Sequence, residues 1–173
     1  PARTAMFDLV GRASDRGCTV AFDPNARPEL WDGGFRAAFD AACEAADVVK
    51  ATPEDLAAAG VDGPPDVLLN TILKRGPHTA LLTLGDEGAI ARATDAAPWG
   101  PSGASHSGYD VDVVDTTGAG DGFTAGAIRG LVDGLGLDGA VSLANAAAAA
   151  TTTESGAIDA DVDRSVVDRI REA

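Results

Sequence analysis

Asp115-Thr116-Thr117-Gly118-Ala119-Gly120-Asp121 puts two glycines and an acid where a strand should give way to a helix. Upstream, Tyr109 to Val114 alternates and ends apolar, as a strand does; from Gly122 to Val132, Phe123, Ala127, Ile128 and Leu131 recur at helical spacing. The turn therefore opens a helix, whose first N–H groups lack partners and carry a partial positive charge. Gly118 and Gly120 let that backbone approach an anion closely, and phosphate oxygens suit it. Asp121, in the same turn, is placed to take a proton from a hydroxyl lying beside such a phosphate, and the helix-end charge favours its carboxylate form. The bland alternative is that Asp121 caps the helix and the glycines only shape a turn.

The flanking residues weigh against the bland reading. The run Asp115 to Gly126, DTTGAGDGFTAG, closely resembles the signature of the PfkB (ribokinase-like) carbohydrate kinases. Asn145 in Ala144-Asn145-Ala146-Ala147-Ala148 resembles that family's adenine-side helix, and Thr83-Leu84-Gly85-Asp86-Glu87-Gly88 its nucleotide-side hairpin. Asp23-Pro24-Asn25-Ala26-Arg27-Pro28-Glu29-Leu30-Trp31 is similar to a segment of the fructokinase and 2-keto-3-deoxygluconate kinase branches. The likeness thus covers nearly the whole chain, in order. It implies an α/β fold, a ribokinase-like layered sandwich with a mostly parallel central sheet flanked by helices.

Carried over residue by residue, the resemblance makes Asp121 the catalytic base and Gly118, Ala119 and Gly120 the backbone anion hole for the transferring phosphoryl. Thr83, Gly85, Gly88 and Asn145 would line an ATP site. Asp115, Thr117 and Gly156 match where relatives hold a monovalent cation, which makes K⁺ a candidate cofactor. Mg²⁺ is expected with ATP, held mainly by phosphates and water. The implied reaction is ATP-dependent phosphorylation of a primary hydroxyl on a small sugar or sugar acid, with 2-keto-3-deoxygluconate or fructose favoured. The alternative is a non-catalytic nucleotide-binding fragment that lacks a complete sugar pocket. For Asn145 the residues alone also permit a helix polar group bonded to its own backbone. One departure stands out: many relatives carry Asn-x-x-Glu where this chain has Thr52-Pro53-Glu54-Asp55, and Thr52 reads better as a helix cap.

Arg27 offers a planar, permanently charged fork beside a strand end, suited to a phosphate or a substrate carboxylate. A sugar acid would use it through its carboxylate; with fructose it would face the phosphates. The alternative is a surface ion pair with Asp23 or Asp32.

Other nucleotide motifs are excluded by inspection. There is no G-x-x-x-x-G-K-[ST], and Phe123 stands where a dinucleotide fingerprint needs its third glycine. Length supports one domain with a sizeable core, about half of what the resembled family spans, so the chain reads as the C-terminal, nucleotide-binding and catalytic part. The sugar-binding and lid part, with any homo-oligomer contacts it makes, would lie in the absent half.

Composition predicts a cytoplasmic protein, with no membrane-spanning apolar run and two cysteines, Cys18 and Cys43, both read as buried structural thiols. A net charge of −14 argues against nucleic-acid and acidic-membrane partners. With 21 Asp against two Lys and eleven Arg, the surface resembles that of proteins in salt-rich cytoplasm, a halophilic signature.

Periodicity predicts alternating helices and strands. Met6, Leu9, Val10 and Ala13 mark a first helix, and Thr19–Phe22 reads as a buried strand. A helix follows near Gly34–Ala46, then a strand at Asp47–Lys50 and a helix opened by Thr52-Pro53. Asp66–Lys74 reads as helix, and Thr79–Leu84 with Gly88–Arg92 as a hairpin. Pro98–Gly108 is predicted to be loop, and the chain closes with helices near Leu137–Thr153 and Asp161–Glu172. Gly122, Gly126 and Gly130 share one helix face and predict close approach by the Ala-rich helix that follows.

Overall fold

The computed structural model describes residues 2–31, 33–156 and 163–172. Helix α1 (Ala2–Ser14) leads to a short strand β1 (Ala21–Phe22), helix α2 (Phe35–Ala45), strand β2 (Val48–Ala51), and helices α3 (Pro53–Ala58) and α4 (Pro65–Leu73). Strands β3 (Thr79–Thr83), β4 (Ala89–Ala93) and β5 (Ser102–His106) follow. Helices α5 (Ala119–Val132), α6 (Gly136–Thr152) and α7 (Arg164–Glu172) complete the order.

The five strands form one sheet in sequence order. β1 pairs parallel with β2 and β2 with β3; β4 is antiparallel to β3, and β5 antiparallel to β4. Four of the five therefore point the same way, and only β4 is reversed. Helices cover both faces because strand side chains alternate. Val49, Ala51, Ala80 and Leu82 pack with Phe39, Cys43, Leu56, Leu69 and Ile72 on one side. Val48, Leu81, Ala89 and Ala91 pack with Phe123, Ala127, Val141 and Ala144 of α5 and α6 on the other. The carboxyl ends of β1, β2 and β3 thus open where α5 begins, the side on which open α/β sheets hold ligands.

The glycine face of α5 meets α6 as its spacing predicts. A methyl on Gly126 would lie 2.8 Å from Ala144 Cα, and one on Gly130 2.6 Å from Ala140 Cα. No described helix is long and apolar enough to cross a membrane.

Four expectations need correction. Tyr109–Val114 is not a strand: the N–H groups of Val114 and Asp115 instead donate to the Thr152 carbonyl at 2.7 and 3.2 Å, so the end of α6 takes the bonds a sheet would have taken. The segment Pro98–Gly108, expected as loop, holds β5, where Ser102–His106 completes the ladder along β4 despite weak strand formers. Thr19–Phe22 contracts to Ala21–Phe22, an edge strand paired on one side only, and it is not buried. Cys18 beside it is accordingly exposed, whereas Cys43 is fully buried. The predicted start of the last helix, Asp161, lies outside the described residues.

Candidate active site

The Gly118 turn has the backbone its sequence asks for. Gly118 sits at φ 83° as the residue before α5, a left-handed conformation that glycine adopts without a steric penalty. The Ala119 N–H donates to the Thr116 carbonyl at 3.2 Å, and the Gly122 N–H to the Gly118 carbonyl at 2.8 Å. Among the described residues, none accepts from the N–H groups of Gly118, Gly120 or Asp121. The free amides at the helix start are therefore those three, with Ala119 partly engaged, and they sit at the positive end of the helix dipole, where a backbone can accommodate an anion.

The turn divides two open spaces. On one side Asp121 is exposed and lines a cleft of about 590 Å³ with Gly118 and Gly122. Among the described residues no side chain pairs with its carboxylate. On the other side, Ala119 and Gly120 line a cleft of about 510 Å³ with Thr83, Gly85, Gly88, Asn145 and Ala148, a size typical of small-molecule sites. The turn thus carries an exposed acid on one flank and a cleft of small-molecule size on the other.

The predicted nucleotide-side residues converge on that second cleft. Thr83 ends β3, and the tight turn to β4 places Gly85 at φ 66° and Gly88 at φ 80°. A side chain on Gly88 would collide with the His106 carbonyl, so β5 presses on this turn. Asn145 is buried, and its amide nitrogen donates to the Val141 carbonyl of its own helix at 2.8 Å. It thus bonds its own backbone and borders the cleft as well.

Arg27 and Gly120 line a third, adjoining cavity of about 360 Å³ with Asn25, Thr52 and Asp55. Arg27 is exposed and bonds the Ala26 carbonyl at 2.9 Å; the ion pair with Asp23 does not form, and Asp32 lies outside the described residues. Thr52 caps α3, accepting from the Asp55 N–H at 3.2 Å while Asp55 accepts from the Thr52 N–H at 2.9 Å. The second Asp55 oxygen accepts the Ala26 N–H at 2.7 Å, which ties the loop carrying Arg27 to α3. Asp55 therefore positions backbone, a role the sequence reading did not assign to it.

Asp23 is engaged by Lys50, whose ammonium lies 3.0 Å from Asp23 Oδ2, and by the Thr124 hydroxyl at 3.2 Å on the same oxygen. Lys50 is 7 % exposed and lines both cavities that Gly120 lines. Sequence reasoning passed over it, although a lone lysine in an apolar strand was a signal to be had.

Asp115, Thr117 and Gly156 also come together. Asp115 accepts from the Thr117 N–H at 2.9 Å and from the Gly156 N–H at 3.0 Å. Bonds from the Thr117 backbone, then the Thr117 side chain and the Gly156 backbone, hold the Asp115 carboxyl below its ordinary value. The described residues contain no cluster of three or more His, Cys, Asp or Glu side chains fit to hold a metal.

Comparison with known proteins agrees with this geometry. Residues 1–164 match the pfkB family carbohydrate kinase. The chain is 33% identical over 168 residues to fructokinase-1 of Oryza sativa subsp. japonica, covering 91% of this chain and 50% of that protein. It is 35% identical over 157 residues to the 2-dehydro-3-deoxygluconokinase of Bacillus subtilis (strain 168), covering 88% and 46%. Among solved structures, a double mutant of the fructokinase from Vibrio cholerae O395, in its fructose-, ADP- and potassium-bound form, superposes with a TM-score of 0.82 at 29% identity, covering 98% of this chain and 56% of that one. The chain thus spans about half the length of the curated relatives it matches. On the match to the family, and on the turn, sheet and clefts that accompany it, the chain belongs to the pfkB family of carbohydrate kinases.

Proposed function

We propose that the protein carrying this chain transfers the γ-phosphoryl group of ATP to a primary hydroxyl of a small sugar or sugar acid, and that this chain is its nucleotide-binding and transfer part. The observation that carries the reading is the Gly118 turn, with free amides at its tip, Asp121 on one flank and the Thr83–Asn145 cleft on the other. The sugar-binding and lid part would lie outside this chain. Its relatives named fructokinase and 2-dehydro-3-deoxygluconokinase support fructose and 2-keto-3-deoxygluconate as the substrates to try first.

In this reading ATP lies in the cleft with its γ-phosphate on the amides of Gly118, Gly120 and Asp121, assisted by Ala119. The sugar oxygen attacks phosphorus in line. Its bond to phosphorus forms as the bond to the bridging oxygen breaks, the electron pair leaves on ADP, and the hydroxyl proton passes to Asp121. Mg²⁺ accompanying ATP would offset the charge of the phosphates, and would be held mainly by them and by water rather than by side chains of this chain. Arg27 is available to the phosphates or to a sugar-acid carboxylate from the adjoining cavity. Asp115, Thr117 and Gly156 frame a site for K⁺, supported by the ion in the Vibrio cholerae fructokinase complex.

The test is Asp121→Asn in the full-length protein, followed by ADP release across a panel of sugars and sugar acids. Loss of a general base is expected to lower kcat by about 10²- to 10⁴-fold while Mg-ATP binding persists. Undiminished turnover would overturn Asp121 as the base. ADP release that no sugar accelerates would point to a nucleotide-binding protein without transfer.

A further inference from the structure

We propose that Lys50 is a further catalytic residue, its ammonium donating to the phosphoryl group in flight; the inference rests on the kinase reading above. Strand β2 is buried throughout, and its alternation sends Val49 and Ala51 to one core and Val48 and Lys50 toward α5. An ammonium buried there is costly, and a hydrophobic residue would serve packing better unless the charge has a use. Asp23 Oδ2, at 3.0 Å, accounts for one of its three N–H donors, and no other described residue accepts from it.

The ammonium stands beside the start of α5. Lys50 borders both the cavity lined by Arg27 and the cleft lined by Thr83 and Asn145, and Gly120 is common to the two. A triphosphate reaching the Gly118 turn passes through that junction. Gly120 adds a separate observation. It is helical with an ordinary φ, so alanine would suit the helix better, yet a methyl there would lie 3.1 Å from Lys50 Nζ. The missing side chain is explained by space for the ammonium and for whatever it meets. Asp23, from the end of β1, and Thr124, from the second turn of α5, fix that ammonium from two sides through one shared oxygen.

The test compares the full-length protein with Lys50→Met and with Lys50→Met/Asp23→Asn, measuring turnover, melting temperature, and affinities for ADP and a non-hydrolysable ATP analogue. Lys50→Met is expected to lower kcat about 100-fold and to weaken the analogue about tenfold more than ADP, as loss of a charge-assisted donor to the terminal phosphate requires. The double variant, which removes the uncompensated carboxylate, is expected to melt near the wild type and to stay slow. Equal weakening of both nucleotides, or recovery of turnover in the double variant, would make Lys50 structural and overturn the proposal. A wild-type protein that bound neither nucleotide would overturn the kinase reading itself, and Lys50 with it.

Discussion

Gly126→Ala should destabilise the protein, although the same exchange in an open helix stabilises. The added methyl would lie 2.8 Å from Ala144 Cα and 2.9 Å from the Leu143 carbonyl oxygen, both of them backbone atoms that cannot turn away. Carbon–carbon contacts are comfortable at about 3.5–4.0 Å, so α5 and α6 must part by about 1 Å. That separation also loosens Gly130 on Ala140 and Gly122 on Ala147, which puts the cost near the top of the overpacking range, about 3 kcal/mol. Relief of a helical glycine returns about 1 kcal/mol. A net loss of about 2 kcal/mol lowers the melting temperature by about 4–8 °C for a chain of this size. Gly11→Ala is the control, since no atom lies within 4 Å of its added methyl; it should raise the melting temperature by about 2–4 °C. Thermal unfolding followed by circular dichroism reads both. If Gly126→Ala melts at or above the wild type, the helices are not in the contact described, and the placement of Asn145 beside the Gly120 cleft loses its support.

Three other outcomes follow from particular groups. The Asp115 carboxyl is held below its ordinary 3.8, so its contribution to stability is complete above that value and is lost as pH falls through the lower folded value. The melting-temperature gap between wild type and Asp115→Asn should be constant well above 3.8 and shrink below it; a gap unchanged in strong acid would refute the bonding to Thr117 and Gly156. Burial pushes the Cys43 thiol up to about 12, while Cys18 is exposed. Iodoacetamide at neutral pH should therefore label Cys18 rapidly and Cys43 only on unfolding, and rapid labelling of both in the folded protein would contradict the burial of α2. A net charge of −14 leads to a rise in melting temperature from low salt to molar KCl; an unchanged value would remove the halophilic reading.

Legibility in the sequence followed the range of the interaction involved. Helices α2 to α6 and strands β2 to β4 fall close to their periodicity because local pattern and packing agree there. Thr52-Pro53-Glu54-Asp55 announced a cap, and the reciprocal bonds of Thr52 and Asp55 are that cap. Pattern failed where a distant partner decided. Ser102–His106 has little strand propensity, but β4 needs a neighbour for its open edge and takes the segment that returns beside it. Tyr109–Val114 has the strand pattern and loses out, because the end of α6 bonds its last N–H groups first. Cys18 looked buried from its apolar successors, but the edge position of β1 leaves it open.

The site divides along the same line. In the Gly118 turn the backbone itself would be the anion's partner in the proposed reading, a role that calls for glycine at fixed spacing and leaves a local signature. The side chains gathered beside the turn come from distant segments. Asp23 and Lys50 are 27 residues apart, and Thr124 is 101 residues from Asp23; parallel pairing of β1 and β2 and the docking of α5 bring them to one oxygen. Ala26 and Asp55, 29 apart, are joined likewise. No periodicity encodes such meetings, because each residue answers to a neighbour that only the finished sheet supplies. What remained visible was incompatibility with local surroundings: a lysine in an otherwise apolar buried strand, and a glycine inside a helix with no positive φ to excuse it. A methyl on Gly120 would lie 3.1 Å from Lys50 Nζ, so each bears on the other: under the proposal above, an ammonium that meets a phosphate is held by Asp23 behind it and given room by the absent side chain in front.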